Sequence, residues 1–175
     1  MLNLKERYPV NQIHKALLIA FLTIATPWNV LGAEKSLRIT EYGLFRVEIT
    51  ETITNPSKIT GHQNNIRHVL LKTTDRIPLQ RGANFGVSVV VDGSEDSREW
   101  TLRRVIRFPY PGLRDPKTGK THPYDERLVT VQPGTDGTVS FTFDHEWEMV
   151  PGRWAIEFWD GEKKIAEKVF TVTTY

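Results

Sequence analysis

From residue 34 onward no window of the chain repeats apolar residues at spacings of three and four, whereas many alternate apolar and polar residues strictly. A period of two is the signature of a strand with one buried and one wet face. In "FRVEIT" Phe45, Val47 and Ile49 point one way and Arg46, Glu48 and Thr50 the other. In "FGVSVVV" Phe85, Val87, Val89 and Val91 share a face, and in "GTVSFTF" Val139, Phe141 and Phe143 do. "EWTLRRVIRF" places Trp100, Leu102 and Ile106 together, with Arg104 the odd member of that file. "RWAIEFW" aligns Trp154, Ile156 and Phe158, which predicts Trp154 as core and leaves Trp159 on the opposite face.

Turn chemistry separates these runs: "TNPSK", "DGSEDS", "YPGLRDPKTGK", "QPGTDG", "VPG" and "WDGE". Short strands punctuated at near-regular intervals by Gly, Pro, Asp and Asn predict an all-β sandwich or barrel. Asp160-Gly161 is the strongest local hairpin signal, because these residues best tolerate the positive φ of a tight turn. It joins the last two strands, the second of which faces Phe170 and Val172 inward; its register near Ala166 is not secure from sequence.

The first 33 residues read differently. Scattered positive residues precede an apolar run from Ala16 to Thr26, then Pro27 and the small residues Gly32 and Ala33. This order predicts a secretory signal peptide over 1–33, cleaved after Gly32 or Ala33, and an exported, periplasmic or secreted domain over 34–175. The run before Pro27 is shorter than the roughly 20 residues of a membrane span, so no stable span is expected after cleavage. Lys5, Arg7, Lys15 and Glu6 precede residue 34, so of 23 basic and 21 acidic residues the mature part keeps equal numbers. Nothing in this neutral balance suggests a polyanion partner, so no nucleic-acid binding is expected. The chain has no cysteine, which removes disulfides, thiol nucleophiles, thiolate-bound metals and a lipid-bearing cysteine, and leaves stability to the core.

Catalytic signatures are sparse. "DHEWE" offers Asp144, Glu146 and Glu148, which on a strand share a face; they are a candidate calcium set or, as paired carboxylates, a candidate glycan-hydrolysing acid and base. Alternate strand residues stand about 7 Å apart, and a solvated, edge-protecting face accounts for the same pattern. "HEWEM" lacks the second histidine of the zinc-protease motif. His62 and His68 in "HQNNIRH" have no carboxylate or thiol nearby in sequence, so they are expected at the surface. No serine, Ser140 included, sits in a glycine-flanked elbow, and "RGANFG" leads into a strand rather than a helix, so its glycines serve a turn or bulge. No metal or cofactor is expected.

The long connection "RFPYPGLRDPKTGKTHPYDE" is the candidate binding surface, because ligands are commonly met by loops on a rigid sandwich. Arg107, Tyr110, Arg114, Lys117, Lys120, His122 and Tyr124 could form a cationic, aromatic patch, with Trp159 and Tyr110 as stacking platforms. A hairpin tip stiffened by proline and closed at "DPKTG" is the competing account of the same residues.

The chain resembles the bacterial family that shares domain of unknown function 3859. The resemblance rests on "YGLF" (42–45), "IPLQRGANFGV" (77–87), "RFPYPGLRDPKTGKT" (107–121) and "FDHEWEMVPGRWAIEFWDGEKKIAEKVFTV" (143–172), in order along nearly the whole mature chain. It implies an immunoglobulin-like antiparallel β-sandwich, here of about seven to eight strands, in an exported or envelope-associated protein, and it implies no activity. The expected function is a non-catalytic module binding a protein or cell-envelope component through the long loop or an unpaired edge strand. The alternative is a glycan-binding or glycan-hydrolysing protein using Asp144, Glu146 or Glu148.

Overall fold

The computed structural model describes residues 35–54, 57, 62–93 and 99–174, without the side chains of 62–64; the predicted signal peptide lies outside them, as does the side chain of His62. Among the described residues eleven strands form in chain order: β1 (Ser36–Thr54), β2 (His62–Lys72), β3 (Arg76–Pro78), β4 (Asn84–Asp92), β5 (Trp100–Arg107), β6 (Leu113–Arg114), β7 (Thr121–His122), β8 (Tyr124–Val131), β9 (Asp136–Thr142), β10 (Gly152–Asp160) and β11 (Lys163–Thr173). One sheet has the order β2-β1-β4-β9 and the second β3-β11-β10-β5-β8, while β6 and β7 make a separate two-stranded hairpin. The two main sheets thus hold nine strands rather than seven or eight. The extra one is β3, three residues paired parallel to β11 and too short to show a period.

The alternating files become the core. Phe85, Val87, Val89 and Val91 of β4 meet Leu102 and Ile106 of β5, Trp154, Ile156 and Phe158 of β10, and Phe170 and Val172 of β11. Trp154 is fully buried against Phe85, Phe108, Phe141 and Phe143, with ring centroids 5.0–5.6 Å apart. Its indole N–H donates to the Val150 carbonyl at 2.9 Å, which satisfies the one polar atom that burial would otherwise strand. The β10–β11 hairpin forms with Gly161 (φ +56°) and Glu162 in the turn, Asp160 being the last strand residue. The register near Ala166 shifts between Phe158 and Trp159: Ala166 faces Phe158 and Lys164 faces Trp159, so Ile165 is an extra, bulged residue.

Gly86 is required by the approach of two backbones. A Cβ there would press on the Val139 carbonyl and stand 2.7 Å from Ser140 Cα, both on the neighbouring strand β9. Gly86→Ala is therefore expected to lose about 2–3 kcal/mol in urea unfolding, because the strands must separate. Gly137→Ala, in the same strand pair with open space at its Cβ, should stay within about 0.5 kcal/mol of the parent. Equal losses at both positions would refute the backbone-approach account.

One alternating file is not buried as its pattern suggests. Phe45 is 4% exposed, but Val47 is 42% and Ile49 63% exposed. The strand β1 pairs with β4 only as far as Phe45 opposite Asn84, whereas its pairing with β2 continues to Thr54 opposite His62. Beyond Phe45 the two strands run on as a ribbon, and among the described residues no second sheet covers that face. Ile49 and Ile66 are cross-strand neighbours on it, and Ile66 is 55% exposed.

Candidate functional site

The residues of the predicted patch fall on separate surfaces. Arg107, Tyr124 and Trp159 lie on the outer face of the five-stranded sheet, around Glu157, whose side chain is 4% exposed. The Arg107 guanidinium grips the Glu157 carboxylate with two hydrogen bonds, of 3.1 and 3.2 Å, and also lies over the Tyr124 ring. The Trp159 indole N–H donates to the same carboxylate at 2.9 Å. Burial alone would raise the Glu157 pKa; the Arg107 and Trp159 hydrogen bonds and the charges of Arg107 and Lys164 outweigh it and hold the carboxyl below its ordinary value.

Trp159 is accordingly not an open stacking platform. Its ring is flanked by the Arg103 guanidinium at 4.9 Å and the Lys164 ammonium at 5.7 Å, which are cation–π partners. Trp159 pairs with Arg103, four residues along β5 from Arg107, which is about 13 Å at strand rise. Tyr110 sits beyond Arg107 in the following connection and is 98% exposed, so the pair of platforms does not assemble.

Arg114 and His122 belong to the β6–β7 hairpin, where Leu113 faces His122 and Arg114 faces Thr121. Its tip is closed by Asp115, whose carboxylate accepts from the Lys117 backbone N–H at 2.8 Å and the Thr118 hydroxyl at 2.9 Å. These bonds hold the Asp115 carboxyl below its ordinary pKa. Most of the long connection is thus a structured hairpin, with Lys117 and Lys120 exposed near its tip.

The acidic cluster does not lie on a strand. Residues Glu146–Glu148 form a 3-10 turn, so the shared face expected of Asp144, Glu146 and Glu148 is absent. The Glu148 carboxylate accepts from the backbone N–H groups of Asp144 and His145, each at 2.8 Å, which is a capping role. The sequence pattern missed this because a strand face and a capped turn both place acids two residues apart.

A cleft of about 770 Å³ opens along the seam where the sandwich is not closed, between β8, the last strand of one sheet, and β9, the last strand of the other. Ile106, Phe108, Phe141, Val129 and Val139 give it an apolar lining, and Ile66 and His68 of the β1–β2 ribbon form a further wall. His122, Tyr124 and Trp147 stand at its open end, and a neighbouring hollow of about 620 Å³ shares His122 and Trp147. Of the predicted patch, then, His122 and Tyr124 reach this cleft.

Sequence reading did not assign the polar groups inside it. Arg104 is 8% exposed and donates to Asp125 at 2.8 Å, and Arg127 stands 3.7 Å from the same carboxylate. The signal was present as the one charge in an apolar file. Ser140 shares a hydrogen bond of 3.1 Å with His68 Nε2, across 72 residues of sequence. Burial holds the His68 pKa below its ordinary value. A serine beside an imidazole is part of a hydrolase triad, but no carboxylate hydrogen-bonds this ring among the described residues, and Ser140 is mid-strand rather than on an elbow. Asn84 Nδ2 bonds Ser140 Oγ and Thr142 Oγ1 at 3.1 and 2.7 Å, fixing this end of β9 to β4.

Two facing, largely antiparallel sheets with a shared aromatic core make a β-sandwich, and a solved structure shows the fold to be immunoglobulin-like. An immunoglobulin-like protein from Pseudomonas aeruginosa superposes with a TM-score of 0.56 at 24% identity, covering 81% of this chain and all (100%) of that one. The chain belongs to the family of domain of unknown function 3859, whose model matches residues 33–172. A β-glucosidase from Listeria innocua aligns at a TM-score of 0.35 and 11% identity, over 77% of this chain and 16% of that one. One from Trichoderma reesei aligns at 0.32 and 15%, over 79% and 19%. Likenesses so low carry no argument about this chain. No curated protein matches it.

Proposed function

We propose that this protein is an exported, non-catalytic binding module that holds an extended segment of a partner polypeptide in the β8–β9 seam. The observation that supports this reading is a cleft of about 770 Å³, lined by apolar and polar side chains in about equal measure and bounded by two edge strands. An edge strand presents unpaired backbone N–H and C=O groups, and proteins that do not use such edges protect them with charge. The strand β8 carries Asp125, Glu126 and Arg127, whereas β9 has no charged residue from Gly137 to Thr142. The β9 edge is therefore the one suited to accept an added strand, with side-chain pockets in the cleft supplying selectivity. The exposed ribbon residues Ile49 and Ile66 extend the apolar wall that such a segment would meet.

Selection of a displayed random peptide library on the immobilised protein tests this directly. Enriched peptides should lose at least tenfold in affinity against Ile66→Asp and Trp147→Ala, both at exposed positions bordering the cleft. They should be unchanged against Tyr110→Ala and Leu128→Asp, which lie outside it. An unenriched library, or peptides indifferent to the two cleft variants, would reject the seam as the binding site.

A further inference from the structure

Arg104 and Arg127 are directly opposed cross-strand neighbours on β5 and β8, and both line the cleft. Like charges directly opposed on adjacent strands destabilise a sheet unless something compensates them. Asp125 supplies one negative charge to the two, at 2.8 Å from Arg104 and 3.7 Å from Arg127. Among the described residues the cluster is one carboxylate short of neutrality. A guanidinium carries five N–H donors, and among the described residues that of Arg104 makes one hydrogen bond, to Asp125. Its side chain is only 9% exposed and borders the cleft, and Asn84 Oδ1 is the one sealed side-chain polar atom without a partner among the described residues, so the unused donors of Arg104 keep access to solvent. A largely enclosed guanidinium with unused, accessible donors at a cleft gains when an anion arrives, with bidentate carboxylate geometry the best match to its planar fork.

We infer that the segment held in the seam carries an acidic side chain whose carboxylate binds between Arg104 and Arg127. This rests on the seam being the peptide site. The cleft continues past the arginine pair in both directions, to Val129 and Val139 toward the β8–β9 turn and to Phe108 and Trp147 at the open end. The carboxylate is therefore an internal Glu or Asp side chain, not a chain end. Asp144 and Glu148 line the open end, so the preference for negative charge is local to the arginine pair and a uniformly acidic segment is disfavoured.

The test uses three probes at constant ionic strength against the 15N-labelled protein: acetyl-Val-Glu-Val-methylamide, its Gln counterpart, and acetyl-Val-Gln-Val with a free C-terminal carboxylate. The Glu peptide should bind at least tenfold more tightly than either of the others and should shift the Arg104 Nε–H resonance. In Arg127→Gln, whose parent side chain is 72% exposed and whose substitution is expected to leave the fold intact, that advantage should fall below threefold; Arg104→Gln should abolish it where the variant remains folded. Equal affinity for the Glu and Gln peptides overturns carboxylate recognition and leaves the seam as a peptide site. Tighter binding of the free chain end overturns the internal placement. If the Glu peptide shifts no cleft resonance the inference also fails, and the seam itself is then decided by the library selection, which assumes nothing about charge.

Discussion

Trp154→Ala is expected to lower stability by about 3–5 kcal/mol, the range for removing a large buried aromatic. Its ring touches four phenylalanines, Phe85 and Phe141 from β4 and β9 of the facing sheet and Phe108 and Phe143 from the connections after β5 and β9. Truncation therefore opens a cavity whose walls belong to different strands and cannot all relax toward it. The Val150 carbonyl also loses its donor. Urea unfolding monitored by circular dichroism measures the effect, with Trp154→Phe expected to retain part of the packing while losing the hydrogen bond. A loss below about 1 kcal/mol would mean that the aromatic cluster is not the cooperative centre of the fold.

Removing the Glu157 side chain should have the next largest effect. Breaking a fully buried ion pair costs roughly 3–5 kcal/mol; the Arg107 side chain is 42% exposed and can recover water, so about 2–3 kcal/mol is expected for Glu157→Ala. Trp159 loses the acceptor of its indole N–H and Lys164 a neighbouring charge at 3.8 Å. The same site gives a pH dependence. The folded-state pKa of Glu157 lies below the ordinary value of 4.5, so its contribution is full above that value and is lost as pH falls through the folded pKa. Glu157→Gln should flatten this acid limb of stability while leaving the behaviour at neutral pH less affected than Glu157→Ala does. An unchanged acid limb in Glu157→Gln would assign the proton uptake to other carboxyls, Glu48 and Asp92 being held down by their own arginines at the surface.

These two positions also show what alternation can reveal. Trp154 was legible as core because its neighbours at two-residue intervals are Ile156 and Phe158. Trp159 was legible as lying on the other face, but its partners were not, since Arg103 and Glu157 become its neighbours through strand pairing and side-chain reach. Val47 and Ile49 have the same local pattern as Val87 and Val89, yet the first pair is exposed and the second buried. Nothing within the hexapeptide distinguishes them: the difference is whether a second sheet lies opposite.

The candidate site divides in the same way. Arg104 was visible as a break in an apolar file, and a proline-stiffened hairpin was one of the two accounts of the long connection, because both are local properties of chain and turn chemistry. That Arg104 faces Arg127 across 23 residues, that His68 reaches Ser140, and that β8 and β9 are left as neighbouring edges required the strand order. The amino-acid sequence by itself determined the all-β class, the facing of β4, β5, β9, β10 and β11, and the last hairpin, since side-chain alternation and turn conformation act over a few residues. Tertiary structure decided which faces are covered, which edges stay open and which charges meet, because sheet stacking and long-range pairing depend on residues distant along the chain.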